Sequence, residues 1–262
     1  GHKSDIGGQS PGSRNTGARD IFGEGLMIMP AKLLSRRELV KETEHFLRAN
    51  SRTPDLVLGD LGAQAGALWS IGTQRLNTLL DQYGKDVVLG AFDQVGSHTE
   101  ARVRQAIETW PDGVYEGEAV VDDIADPTNP LRVHVAAIKE GNRLTLDFSG
   151  SSDQSKGPIN VRPPFTRGMA YYAAVAMIDP ALPNNFGLAS AIECKFRPGS
   201  LLDPTFPAPV GFYSTTMASI EDAIFNAMSK AAGRPAIAHN AAGGMVVIGN
   251  VSGGGRPYVQ YE

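Results

Sequence analysis

The hydrophobic pattern of this chain changes its period at Pro111-Asp112-Gly113. Before that point apolar residues recur every three or four positions, the spacing that lines one face of an α-helix. After it they alternate, the spacing that lines one face of a strand. A run of helices followed by a run of strands points to an α+β fold rather than to regular βαβ winding. The expected architecture is a loop and helical region over residues 1–112, then a mixed, largely antiparallel β region with packed helices over 113–262. Both read as parts of one larger body.

Residues 1–30 are rich in Gly, Ser, Asn and Pro and read as loop. A loop of that length inside a domain usually has a functional task or is disordered. Ser35-Arg36-Arg37-Glu38 has the form of a capping box, so a first helix is expected from residue 35, with Leu39, Thr43, Phe46 and Leu47 on one face. A second is expected over 60–83, with Asp60 as its N-cap, Gly84 as its stop and Leu61, Leu68, Trp69, Leu76 and Leu80 turned inward. A third covers 85–109, with Val88, Phe92, Val95, Val103 and Ile107 inward and a restart signal at Ser97-His98-Thr99-Glu100. Strands are expected over 114–121, 131–139 and 143–148, the last two joined by a hairpin turn at Glu140-Gly141-Asn142. Helices over 167–178 and 215–232 and strands over 192–196, 245–251 and 258–261 complete the reading.

Charge and composition exclude several classes of partner. The 262 residues carry a net charge of −4, with no basic surplus and no lysine- or arginine-rich block. Neither nucleic acid nor an anionic membrane surface is an expected partner, and no apolar run is long enough to span a bilayer. The single cysteine, Cys194, cannot close an internal disulfide, which points to a reducing cytoplasm. It sits in a strand-like run and reads as a buried small residue rather than a nucleophile. The chain opens without methionine on Gly1-His2-Lys3-Ser4-Asp5 and closes on a strand-like segment. The expectation is part of a longer polypeptide, with a Gly-His cloning remnant as the alternative.

His2 and Asp5 stand three apart, ahead of Gly7-Gly8. Imidazole and carboxylate are the usual ligands of zinc, manganese or iron, and the glycines let backbone approach closely. Two ligands do not close a site, so a solvated loop with a turn at Asp5 stands beside the metal reading. His45, His98, His134 and His239 read as structural or solvated. Asp122-Asp123 and Asp126 read as turn chemistry rather than a cation site. Gly253-Gly254-Gly255 lacks the Lys-Ser/Thr of a phosphate loop, and no nucleophile motif is present.

Taken in order, the motifs resemble the hydantoinase B/oxoprolinase family. They are His2-x-x-Asp5-Ile6-Gly7-Gly8, Pro11-Gly12-Ser13, Glu24-Gly25-Leu26, Asn50-x-Arg52-x-Pro54, Gly59-Asp60-Leu61-x-Ala63-Gln64, Asp147-Phe148-Ser149-Gly150, Gly157-Pro158-Ile159-Asn160 and Pro207-Ala208-Pro209-Val210. The resemblance implies an α+β subunit of an ATP-dependent enzyme that opens a cyclic amide such as a hydantoin, 5-oxoproline or a lactam. An A-type partner with an actin-like ATPase fold would bind ATP and phosphorylate the substrate carbonyl, and this B-type chain would supply a divalent metal site (zinc, manganese or iron). A ketone carboxylase subunit of the same family is the alternative, and a non-catalytic assembly subunit the third reading. Carried over by position, His2 is implied as a metal ligand whose companions lie upstream. Asp5 is implied as a ligand, a holder of His2 or an acid–base group. Asp60 is implied as catalytic or merely a cap, and Gln64 and Asn160 as substrate contacts, with a buried structural amide as the other reading of Asn160.

Overall fold

Residues 5–235, 247–250 and 258–261 are described by a computed structural model. Residues 5–33 form a loop that doubles back on itself. The Leu26 amide donates to the Ile6 carbonyl (2.9 Å) and the Gln9 amide to the Gly23 carbonyl (3.2 Å). The close approach requires Gly7 and Gly8, whose φ angles are 67° and 79°. A Cβ on Gly8 would lie 2.8 Å from the Glu24 carbonyl oxygen, and an L-residue pays heavily for that backbone region.

The expected capping box is a hairpin instead. β1 (Leu34–Ser35) pairs antiparallel with β2 (Glu38–Leu39), Ser35 opposite Glu38. Arg36 and Arg37 turn the corner at φ 52° and 73°, the left-handed pair that a two-residue hairpin needs. Arg37 is held there by its guanidinium, which lies 5.3 Å from the ring centre of Trp69. Local spacing of Ser and Glu cannot distinguish the two outcomes; pairing of the flanking residues decides.

α1 (Lys41–Ala49) follows, with Glu42 and Glu44 in its first turn, where the helix field favours anions. α2 (Pro54–Gly66) starts six residues before the expected Asp60, because Pro54 pre-sets the first helical position. Asp60 is therefore inside the helix and caps nothing. α2 continues through a wider π turn at Ala67–Thr73 into α3 (Gln74–Tyr83), which stops at Gly84 as expected. α4 (Lys85–Glu108) is continuous, without the restart at residue 97. Thr99 is buried inside it, its hydroxyl bonded to the Val95 carbonyl.

The inward stripe expected on these helices is largely uncovered. Leu68 is 69% exposed, Trp69 44%, and Leu76, Leu79, Phe92 and Val95 are exposed as well. Val88, Val103 and Ile107 are buried as expected.

The second half is one four-stranded sheet in the order β3 (Gly113–Val121), β4 (Leu131–Glu140), β5 (Arg143–Asp147), β6 (Ile192–Lys195). The first two pairings are antiparallel and the last is parallel. A parallel neighbour needs a long crossover, and here it carries α5 (Pro163–Ile178) and α6 (Phe186–Ala191). α5 begins four residues ahead of expectation because Pro163 and Pro164 occupy its first turn. α7 (Tyr213–Ala231) packs across β3 and β4. Gly117 permits this contact, since a Cβ there would lie 2.0 Å from the Ala223 carbonyl oxygen of α7. The core joins Val133, Val135 and Ala137 of β4, Leu144 and Leu146 of β5, and Ile220, Ile224 and Met228 of α7. Val103 and Ile107 of α4 join it, so helical and β-rich regions share one core. Each fully buried aliphatic side chain contributes about 1.5–3 kcal/mol. β7 (Val247–Asn250) and β8 (Tyr258–Tyr261) form a separate antiparallel pair.

Candidate functional site

Asp5 is wholly buried, and its carboxylate is fully engaged. Oδ1 accepts from the Gly12 amide (2.8 Å) and from Arg52 Nη1 (2.9 Å), while Oδ2 accepts from the Arg52 amide (2.7 Å). The same guanidinium donates to the carbonyls of Gly7, Gly8 and Ser10. Glycines curl a loop so that its carbonyls point inward, and a fork of five N–H donors is the side chain that satisfies them. The pair sits just ahead of the N-terminus of α2 and fastens the glycine loop to it. Asp5 is thus placed to hold the loop rather than to exchange protons.

His2 lies outside the described residues, as does His239. Among the described residues no three His, Cys, Asp or Glu side chains converge in a way that could hold a metal ion. With the Asp5 oxygens committed to Arg52 and Gly12, the described side chains do not fit a divalent cation by themselves.

Glu24 closes the loop on its other side. Its carboxylate accepts from the amides of Val210 (2.9 Å) and Gly211, while Arg14 donates to the Gly211 carbonyl (3.2 Å). Burial pushes the Glu24 carboxyl above its ordinary value, against the pull of the two amides. Asn160 grips the same strap from beneath. Its Nδ2 donates to the carbonyls of Pro209 (2.9 Å), Ser155 and Gly157, and its Oδ1 accepts from the Ser155 amide (2.8 Å). Asn160 is completely buried. The expected substrate contact is, in this structure, a structural amide with no exposed surface to offer a ligand.

Asp60 and Gln64 differ from these. They stand one turn apart on α2, Asp60 half-buried and Gln64 exposed, and neither side chain is drawn into a hydrogen bond with the described residues. Residues at i and i+4 share a helix face; Leu61, the one α2 residue in its wall, lines an open apolar cavity of about 450 Å³ that neither Asp60 nor Gln64 lines. Among the described residues it is walled by Ile6, Ile28, Leu33, Phe46 and Leu47, with Thr43 and the one charged residue Glu42. Ile6 directly follows Asp5, so the clamped loop forms one wall and α2 another.

The remaining candidates behave as structural groups. Asp123 accepts from the Ala125 amide and the Ser155 hydroxyl, and Asp126 from Thr128, which is turn chemistry. His45 and His98 are exposed on helices, and His134 on β4 contacts Glu116 across the strands. Cys194 is half-buried against the core rather than within it, and burial pushes its thiol up to about 12, which keeps it a poor nucleophile. Sequence reasoning gave Arg52 and Glu24 no role. The available signal was a lone arginine and a lone acid embedded in motifs next to glycine-rich backbone.

No helix among the described residues is long and apolar enough to cross a membrane. Comparison with known proteins supplies the relationship. The chain is 32% identical to the B-type subunit of a putative D-/L-hydantoinase from Pseudomonas sp. (strain NS671), covering 87% of this chain and 40% of that protein. It is 30% identical to the caprolactamase β-subunit of Pseudomonas jessenii, covering 88% and 40%. The fold matches the crystal structure of ATP-dependent caprolactamase from P. jessenii with a TM-score of 0.78 at 29% identity, over 88% of this chain and 40% of that one. The chain thus spans about two fifths of the length of these relatives. The family model described as hydantoinase B/oxoprolinase matches residues 1–262, and with order of motifs, fold and whole-chain match in agreement, the chain belongs to the hydantoinase B/oxoprolinase family.

Proposed function

We propose that this chain is part of the B-type subunit of an ATP-dependent hydrolase that opens a cyclic amide: a hydantoin, 5-oxoproline or a lactam. ATP is bound by an A-type partner. The observation that carries this reading is the family match along the whole chain, together with relatives named as hydantoinase and caprolactamase subunits. A cyclic amide is a poor electrophile, and phosphorylation of its oxygen creates a leaving group that makes ring opening feasible. Among the described residues Asp60 and Gln64 have polar side chains with free hydrogen-bonding capacity, on the helix that contributes Leu61 to the cavity wall. We assign Asp60 the acid–base role and Gln64 a substrate contact; Asp5 and Asn160 are positioning residues. His2 is proposed as a ligand of a zinc, manganese or iron ion whose other ligands lie beyond this chain.

The test is the full-length subunit with its A-type partner, assayed for ring opening and ATP consumption on hydantoin, 5-oxoproline and caprolactam. Removal of a general acid or base costs about 10²–10⁴ in rate, so Asp60→Asn should lower kcat by about that factor with an unchanged melting profile. Absence of any amide opening, with bicarbonate-dependent turnover of a ketone, would replace this reading by the carboxylase. Divalent metal that is stoichiometric in the full-length subunit and lost in His2→Ala supports the ligand; unchanged content removes it.

A further inference from the structure

The β1–β2 hairpin gathers positive charge on a chain that is acidic as a whole. Residues 32–41 hold Lys32, Arg36, Arg37 and Lys41 against the single Glu38, four cations less one anion, a net of +3 where the full chain carries −4. Antiparallel pairing collects them. Ser35 lies opposite Glu38, the Val40 amide donates to the Leu33 carbonyl (3.0 Å) and the Thr43 hydroxyl to the Lys32 carbonyl (3.0 Å). The two arginines therefore stand at the tip and the two lysines at the foot. All four are exposed, and among the described residues none is engaged in an ion pair. Nearby, Glu42 is exposed at the start of α1, while Glu44 is taken by Arg48. Arg36 and Arg37 hold the left-handed backbone at φ 52° and 73°, which L-residues occupy at a cost, in a turn that favours Asn-Gly. Strain kept by side chains without an internal ion pair points to a task outside the chain.

The Arg37 guanidinium, 5.3 Å from the ring centre of Trp69, joins this charge to an apolar surface. Trp69 is 44% exposed and Leu68 beside it 69%. Tryptophan and arginine are the side chains in which the binding energy of protein interfaces concentrates. A ring already stacked on a guanidinium is ordered before a partner arrives, which lowers the entropy cost of binding. The net charge of −4 repels an extended polyanion or an anionic bilayer at long range, whereas a protein surface can present its carboxylates locally. We infer that the hairpin and Trp69 dock the A-type partner, through an acidic patch that pairs with Arg36, Lys32 and Lys41 around an apolar seat for Trp69 and Leu68. This rests on the two-component reading above and adds where the components meet.

Surface plasmon resonance between the full-length subunit and its A-type partner, over a salt series and without substrate, tests the surface. Arg36→Glu should slow association about tenfold or more at low ionic strength, a difference that shrinks at high salt because such charges act by steering. Trp69→Ala should raise Kd about thirtyfold or more, the loss that marks an interface hot spot. Arg36→Asn with Arg37→Gly relieves the turn, so it should raise the melting temperature while weakening partner binding; a merely structural hairpin would leave the binding unmoved. In turnover assays Arg36→Glu should raise the partner concentration needed for half-maximal rate and leave kcat at saturation unchanged. The assignment is overturned by subunits that do not associate, or by association rates and Kd that are unchanged in both Arg36→Glu and Trp69→Ala. It is also overturned if the hairpin arginines retain phosphatidylserine vesicles or duplex DNA while partner affinity in Arg36→Glu is unaltered. Weakened binding in a complex that opens no amide keeps the surface and removes the hydrolase. Amide opening with unaltered affinity in both variants keeps the hydrolase and removes the surface.

Discussion

At the scale of single residues, the N-terminal loop depends on one ion pair. Arg52→Ala would strand the Asp5 carboxylate and release three loop carbonyls at once. Removing one partner of a buried, hydrogen-bonded pair costs about 3–5 kcal/mol, less where the partner is partly solvated, as Arg52 is. A loss of about 3 kcal/mol in urea denaturation is expected, and a change within 0.5 kcal/mol, the usual range for surface positions, would mean the clamp is incidental. Glu24 gives a pH signature. Its folded carboxyl lies above the ordinary value because of burial, so the folded state holds its proton more tightly than the unfolded chain does. Its contribution is then fully present at low pH and is lost as pH rises through the window just above 4.5. The stability difference between wild type and Glu24→Gln should move in favour of Gln between pH 4 and pH 7; a constant difference excludes the effect. Cys194, with its thiol near 12, should resist alkylation in the native protein at pH 8 and react only on unfolding.

At the scale of elements, backbone approach is the controlling quantity. Gly117→Ala would place a methyl group 2.0 Å from a carbonyl oxygen of α7, and neither backbone can yield as a flexible side chain would. Overpacking of this kind costs about 1–3 kcal/mol or more, seen as a lowered melting temperature; an unchanged one would mean that α7 stands off from the sheet. The β1–β2 hairpin offers the opposite test. Arg36 and Arg37 occupy a turn that prefers Asn-Gly, and each non-glycine residue in the left-handed region costs about 1–2 kcal/mol. The double substitution Arg36→Asn, Arg37→Gly should stabilise the protein despite losing the Arg37–Trp69 contact. Destabilisation would show that this contact outweighs the turn.

At the scale of the whole molecule, α3 and the first half of α4 present Leu76, Leu79, Tyr83, Val87 and Phe92 to solvent, beside Leu68 and Trp69. Exposed apolar side chains, where they join into a patch, mark an interaction site. The 262-residue chain on its own should bind an apolar fluorescent dye and self-associate, and Leu68→Lys with Leu76→Lys should reduce both. A dye signal that is unchanged in the double variant would locate the sticky surface elsewhere. The cavity lined by Ile6, Phe46 and Leu61 is open as well, whereas the core around β4 and α7 is closed.

Periodicity by itself determined the fold class, the three sheet strands after Gly113 and the long helices; in the strands and in α7 the pattern follows from one buried face, whereas in α3 the same spacing recurs on an exposed one. The ordered motifs fixed the family. Tertiary structure alone decided that Ser35–Glu38 is a hairpin, that Asp60 is inside a helix, and that the stripe from Leu68 to Leu79 stays largely exposed. It also decided that Asp5 and Asn160 spend their polar atoms on the protein's own backbone while Asp60 and Gln64 do not. A residue's type tells which bonds it can form; only the positions of its neighbours tell which of them are already made.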